Sequence, residues 1–301
     1  MPGGLRERRR VTGAARALAV LVAAALLWVA GPHVVLRIVE SQAFATPPAG
    51  TLLPDALGAP SRQLSFASGD RRLRASWVPT EGLAAPALAI FHGDEEELSR
   101  WAGVQAHLHA ADIASFVFDY SGYGASSGTP SVARLQEDAR AAWQQFVALT
   151  PHAHRRVALG FSLGSAVLAD ALGDLQPPPH AVVIGAGFAS AREMAVSTGL
   201  VPGWAAWVLP DVWNTERALA GIGPPLLIVH SRNDEVIPAE QASRLCRAAR
   251  GPRRMVLLDG MLHDDPLEPA RSQAFWGVVI DAMRSGDFGA AGDARRACGT
   301  P

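Results

Sequence analysis

The chain has 301 residues, 49% of them hydrophobic, enough for one sizeable core and too few for two large domains. Its formal net charge of −1 offers no bulk pull toward nucleic acid or acidic surfaces. All 27 basic residues are arginine, which excludes a Schiff-base or other lysine mechanism.

At the N-terminus a basic segment, residues 1–16, holds Arg6, Arg8, Arg9, Arg10 and Arg16. An apolar run follows from Ala17 to Leu36, interrupted by Pro32 and His33. A helix of about 20 such residues spans the roughly 30 Å of bilayer hydrocarbon. The expectation is a membrane anchor over 17–36, with its basic flank in the cytoplasm and the rest of the chain periplasmic or extracellular. A cleaved signal segment is the alternative. Ala43-Phe44-Ala45 has the small-x-small form of a cleavage site, but it lies well past the apolar run.

Residues 46–60 are rich in Pro, Gly and Ala and read as a linker. Next, Leu64 and Phe66 alternate with polar residues, Ser68-Gly69-Asp70 signals a turn, and Leu73, Ala75 and Trp77 alternate again, which predicts a β-hairpin. Short apolar runs then recur at Ala87–Phe91, Phe116–Phe118, Val157–Leu159, Ala181–Ile184, Leu226–Val229 and Met255–Leu258. Strands apolar on both faces belong to a parallel sheet covered by helices. Helices are predicted over Ser131–Leu149, Gly164–Leu172, Pro238–Ala249 and Pro266–Met283. The alternation defines an α/β domain over 61–284, with a mostly parallel, doubly wound sheet. The Gly- and Ala-rich tail, 285–301, reads as disordered. Cys246 and Cys298 form neither a metal-ligand spacing nor a disulfide framework, and read as small buried hydrophobes.

The pattern G-x-S-x-G occurs twice, at Gly160–Gly164 and at Gly124–Gly128. The pattern alone arises too readily by chance to decide anything, so context must. A nucleophile elbow needs a strand before the serine and a helix directly after it. Ser162 has both: Arg156–Leu159 precedes and Ser165–Ala169 follows. Ser126 follows Tyr120-Ser121-Gly122-Tyr123 and precedes Thr129-Pro130, which is loop sequence. A serine needs a base, and the base an orienting acid. Asp234 and His263 each stand just beyond an apolar strand, in the order Ser, Asp, His. The carboxyl ends of parallel strands face one crevice, so the three can converge. Gly185-Ala186-Gly187 also follows a strand, in the manner of a dinucleotide fingerprint. Its last glycine position is Ser190 and no strand-end acid follows about 20 residues on, so that reading fails.

The segments around Ser162, Asp234 and His263 resemble the triad motifs of the α/β-hydrolase family. Ile90-Phe91-His92-Gly93 is similar to that family's first oxyanion segment, and Phe118–Gly128 to the D-Y-R-G-Y-G-x-S-x-G segment of its serine-aminopeptidase-like subgroup. The resemblance covers 61–284 and implies an α/β-hydrolase fold, with oxyanion amides from Asp94 and Leu163. It also implies an N-terminal anchor like that of many subgroup members. The chain departs from the pattern in three places. Four acids, Asp94 to Glu97, follow His-Gly; Ser121 stands where the subgroup has Arg; and Asn233 precedes the acid. The acidic run reads either as a solvated loop or as a border of the site mouth that disfavours anionic substrates.

These observations predict a serine hydrolase acting by acyl-enzyme formation on Ser162. Its predicted substrates are carboxylic esters or thioesters with a small-molecule or lipid-like acyl group, and no metal or organic cofactor is implied. A serine peptidase and a catalytically silent anchored binding module are the alternatives. The segment Ser190–Ala220, with Trp204, Trp207, Leu209 and Trp213, reads as a short lid over the pocket or as ordinary core packing.

Overall fold

The structure, a computed structural model, describes residues 31, 34–82, 84–289 and 298. Eight strands form one sheet: β1 (Arg62–Ser68), β2 (Arg71–Val78), β3 (Ala87–Phe91), β4 (Ala114–Asp119), β5 (Arg156–Phe161), β6 (Ala181–Gly185), β7 (Leu226–Ser231) and β8 (Arg253–Leu258). Their spatial order is β1-β2-β4-β3-β5-β6-β7-β8. The β1–β2 hairpin, in register from Arg62 opposite Trp77 to Ser68 opposite Arg71, is antiparallel, as is the β2–β4 pair. All later pairs are parallel. This is the expected α/β-hydrolase fold.

Period-two alternation divides each inner strand between two cores. Leu88, Ile90, Val157 and Leu159 join a cluster closed by helices α2 (Ala102–Ala110) and α8 (Gln273–Ser285). Ala87, Ala89, Phe91 and Ala158 face the opposite cluster. That second cluster is closed by α3 (Val132–Leu149), α4 (Leu163–Ala171), α6 (Thr215–Leu219) and α7 (Glu240–Ala248). Ser131 caps α3 by accepting the Arg134 amide, as its position predicts. β8 is only half-buried because it is the sheet edge.

Two elements differ from the sequence reading. The α2 helix was not anticipated: Gly103, Ala106 and the buried Gln105 blur its apolar stripe, and Trp101, Val104 and Leu108 are buried only once the fold forms. The helix expected from Pro266 begins instead with a 3-10 turn, Asp265–Leu267, and α8 starts at Gln273.

The expected anchor lies mostly outside the described residues. Residues 34–43 are helical, here α1. Among the described residues no helix is long and apolar enough to cross a membrane. The start of the stretch read as a linker is bonded to the domain. Pro47 O accepts from Gly124 N, and the Gly50 amide donates to the Glu97 carboxylate. Most of the tail, 285–301, also lies outside the described residues, but Phe288 is buried against the α2–α8 core.

The cysteines correct the sequence reading: Cys246, on α7, is disulfide-bonded to Cys298. A separation of 52 residues leaves no local pattern to read, and only the return of the tail to α7 brings the pair together. Alkylating the denatured, unreduced protein should label neither cysteine. Because the bond closes a long loop, Cys298→Ser should lower unfolding stability by up to about 4 kcal/mol in urea titrations.

Candidate active site

The strand order reverses at β3, which lies between β4 and β5, and this switch point opens a crevice beyond the strand ends. Ser162 stands there, between the last residue of β5 and the first of α4. Its backbone is at φ 50°, a left-handed value that costs a non-glycine residue about 1–3 kcal/mol. The Ser162 amide donates to Gly185 O, while the Ser165 amide and hydroxyl donate to Ser162 O. A Cβ at Gly164 would lie 1.9 Å from Phe91 O, and one at Gly160 would lie 2.6 Å from Gly164 O. Both glycines are therefore demanded by the crossing of strand and helix at the elbow.

Asp234, beyond β7, and His263, beyond β8, converge on Ser162. His263 Nε2 lies 3.0 Å from Ser162 Oγ, and Nδ1 lies 2.9 Å from Asp234 Oδ2. The network assigns the Nδ1–H tautomer, which turns the Nε2 lone pair to the serine. Asp234 Oδ1 also accepts the Val236 and Ile237 amides. Burial pushes the Asp234 carboxyl up, but the His263 bond and charge and the Ile237 amide overcome it, leaving it below the usual value. Burial likewise opposes protonation of His263, yet the Asp234 bond and charge hold its pKa above the ordinary 6.5. Neither neighbouring acid competes for the ring: Asp265 accepts the Leu262 amide, and Asp264 faces Arg100.

Two groups here were missed by sequence reasoning. His230, at the end of β7, approaches Asp234 Oδ2 to 3.5 Å and contacts Ile237 O through the same nitrogen. The Glu235 carboxylate accepts the His263 amide, fixing the backbone of the base. His230 carried the same strand-end signal as Asp234, but nothing in the chain marked its partner.

The decoy serine has a structural place. Ser126 accepts the Arg74 amide and donates to Asp119 O, tying its loop to the sheet. In the same loop Arg71 Nε donates to Ser121 Oγ, and Arg71 also pairs with Glu137 and Asp138. A guanidinium from β2 thus occupies the neighbourhood in which the subgroup's arginine is absent.

The acidic run is not a solvated loop. Only Glu95 is exposed, at φ 59°. Asp94 accepts the Ala45 amide and the Tyr123 hydroxyl; Glu97 accepts the Gly50 and Ser99 amides. Glu96 is buried, with Oε2 accepting both Gly93 N and Trp101 Nε1 at 2.8 Å. Burial pushes the Glu96 carboxyl up to about 8, against the pull of those two donors. Burial also pushes His92 down to about 4, keeping a neutral imidazole against Tyr120 and Tyr123.

Asp94 and Leu163, the expected oxyanion residues, border the same cavity as Ser162 and His263. The Leu163 amide, first in α4, has no i−4 partner within the helix, and the positive end of the helix dipole lies at that point. The cavity is about 580 Å³ and largely apolar. α1 contributes Leu36, Val39 and Ala43 to it, and the lid contributes Met194, Leu200 and Leu209. The segment read as lid or core is both. Leu209 and Trp213 are buried, whereas Trp204 and Trp207 are exposed.

This fold and site define a hydrolase of the α/β-hydrolase superfamily. Residues 84–222 match the family described as serine aminopeptidase, S33. An uncharacterized protein of Mycobacterium tuberculosis is 33% identical over 208 residues, 68% of this chain and 70% of its own length. Uncharacterized protein YfhR of Escherichia coli O157:H7 is 30% identical over 243 residues, 77% of this chain and 83% of its own. The chain belongs to the α/β-hydrolases, in one family with these two proteins. Among solved structures, the Pyrococcus furiosus esterase Pf2001 is similar in fold, with a TM-score of 0.63 at 16% identity over 80% of this chain and 98% of that one.

A histidine serves as general base only when neutral, so with His263 in that role its raised pKa should place the acid limb of kcat/KM above pH 6.5. Asp234→Asn removes the charge that favours the imidazolium and should move that limb to lower pH, as a pH–rate profile would record. A limb that stays in place would show that another group sets it.

Proposed function

We propose that the chain is a serine hydrolase that forms an acyl-enzyme on Ser162 and acts on carboxylic esters or thioesters. The Asp234–His263–Ser162 relay carries this reading. His263 Nε2 takes the Ser162 proton as Oγ attacks the carbonyl carbon, and Asp234 steadies the resulting imidazolium. The Asp94 and Leu163 amides receive the oxyanion. The imidazolium then protonates the leaving group. Water, deprotonated by the same nitrogen, attacks the acyl carbon and frees Ser162.

The largely apolar cavity favours an ester with an apolar acyl chain. A peptidase reading finds less support: acids such as Glu95 and Glu235 in the cavity wall suit an amino group, but most of the wall is apolar. Ester turnover should therefore exceed turnover of amino-acid p-nitroanilides, and p-nitrophenyl esters of increasing chain length should improve until the cavity fills. Hydrolysis of the anilides alone would overturn the ester reading.

Ser162→Ala should abolish covalent labelling by a fluorophosphonate, while Ser126→Ala should leave it intact. On a p-nitrophenyl ester, His263→Ala should cost about 10⁵- to 10⁶-fold in kcat/KM and Asp234→Asn about 10⁴-fold. Labelling that survives Ser162→Ala would remove the nucleophile assignment, and a wild type that takes no label would favour a silent binding module.

Glu95, Glu235 and Asp264 leave negative charge at the cavity wall, so an acid-bearing ester should be disfavoured. Each nearby charge is worth about 1 kcal/mol at a screened surface. Glu95→Gln should raise the ratio of acid-bearing to neutral ester turnover several-fold at low salt; an unchanged ratio would show that Glu95 plays no part in selection.

We also propose that the catalytic domain lies outside the cytoplasm, held by the apolar run 17–36. Support comes from the basic flank of that run and from the Cys246–Cys298 bond, which persists in oxidising compartments.

A further inference from the structure

The cavity is walled by two segments that the catalytic relay does not use, α1 and the lid. Both turn apolar side chains to solvent next to the cavity mouth. In the lid, the 3-10 turn Gly203–Val208 has three residues per turn, so Trp204 and Trp207 lie one above the other. They are 82% and 71% exposed, which is exceptional for the largest apolar side chain. On α1, Val34 and Ile38 are one turn apart and also exposed.

The two segments form one body. Val35 and Val39 of α1 pack against Ala195, Val201 and Leu209 in a cluster that also takes in Ala205, the residue after Trp204. The exposed pair on α1 and the exposed tryptophans therefore flank a shared seam. Leu200, exposed on its outer side, borders the cavity itself.

The sequence indicates what meets this face. α1 continues directly from the apolar run that begins at Ala17 behind five arginines, a composition suited to a bilayer and its anionic surface. Tryptophan is also the side chain most suited to the boundary between lipid and water, with an apolar ring and a polar N–H.

We propose that Trp204, Trp207, Val34 and Ile38 form a lipid-docking face, so that the cavity mouth opens onto the membrane and receives membrane-borne acyl esters. This rests on the ester-hydrolase reading of the same site. Docking would spare a long acyl chain a passage through water, because the chain would move from the bilayer along Leu200 and Leu36 into the cavity. The step at Ser162 is the same acyl transfer and hydrolysis described above.

The test uses the full-length protein in phosphatidylcholine vesicles, with and without brominated acyl chains, and the double variant Trp204→Ser/Trp207→Ser. Brominated lipid should quench a component of tryptophan fluorescence that the double variant lacks. Turnover of a long-chain fluorogenic ester dissolved in the vesicles should fall roughly tenfold in the variant. Turnover of water-soluble p-nitrophenyl butyrate should not change, which also shows the variant to be folded. Equal quenching in both proteins would overturn the proposal. So would tryptophans shielded from both bromolipid and aqueous acrylamide, since that assigns the face to a protein partner or a second copy. Equal loss on both esters would overturn it as well. A wild type that is quenched but inactive on p-nitrophenyl butyrate would overturn the ester reading and leave docking standing.

Discussion

The crossing of β5 with α4 is the constraint on which the site depends. For Ser162 to stand above the sheet, the chain must reverse within one residue, and that residue is held at a left-handed φ. The reversal is possible because neither Gly160 nor Gly164 has a side chain to place where Gly164 O and Phe91 O already lie. The same proximity brings the end of β3 beside the first turn of α4. The Asp94 and Leu163 segments therefore border one cavity beside Ser162, and the backbone strain and this convergence arise from one packing event.

What was legible in the sequence was whatever a local pattern could carry. Continuous apolar runs marked the inner strands, and the serine motif with strand before and helix after singled out Ser162 over Ser126. Asp234 and His263 were found because strand ends in a parallel sheet share a crevice. What was not legible depended on distant pairing. The Cys246–Cys298 bond needs the tail to return to α7, and α2 acquires its buried face from the neighbours it meets. His230 becomes notable only beside Asp234, and Arg71 only once β2 has carried it to Ser121.

The acidic run shows a local rule overridden by its surroundings. Four successive acids normally face water. Here each of the three that turn inward has donors waiting: Asp94 has Ala45 and Tyr123, Glu96 has Gly93 and Trp101, and Glu97 has Gly50 and Ser99. Burial of Glu96 raises its proton affinity, against the pull of the Gly93 and Trp101 donors. Glu95 alone stays in solvent, which is why selection against anions is assigned to it and not to the whole run.

Those same carboxylates reach back to the chain before the domain. Ala45 is tied to the Asp94 carboxylate and to Glu95 N, and Glu40 accepts the Val132 amide at the start of α3. α1 and the residues just after it contribute five members of the cavity wall, from Leu36 to Phe44. A peptidase that cut after Ala45 would thus do more than release an address label. It would strip one side of the cavity, expose the lid seam at Ala195 and Leu209, and leave Asp94 short of a donor. The N-terminal segment is thus a piece of the domain's shape, and removing it would leave a wider and less apolar cavity.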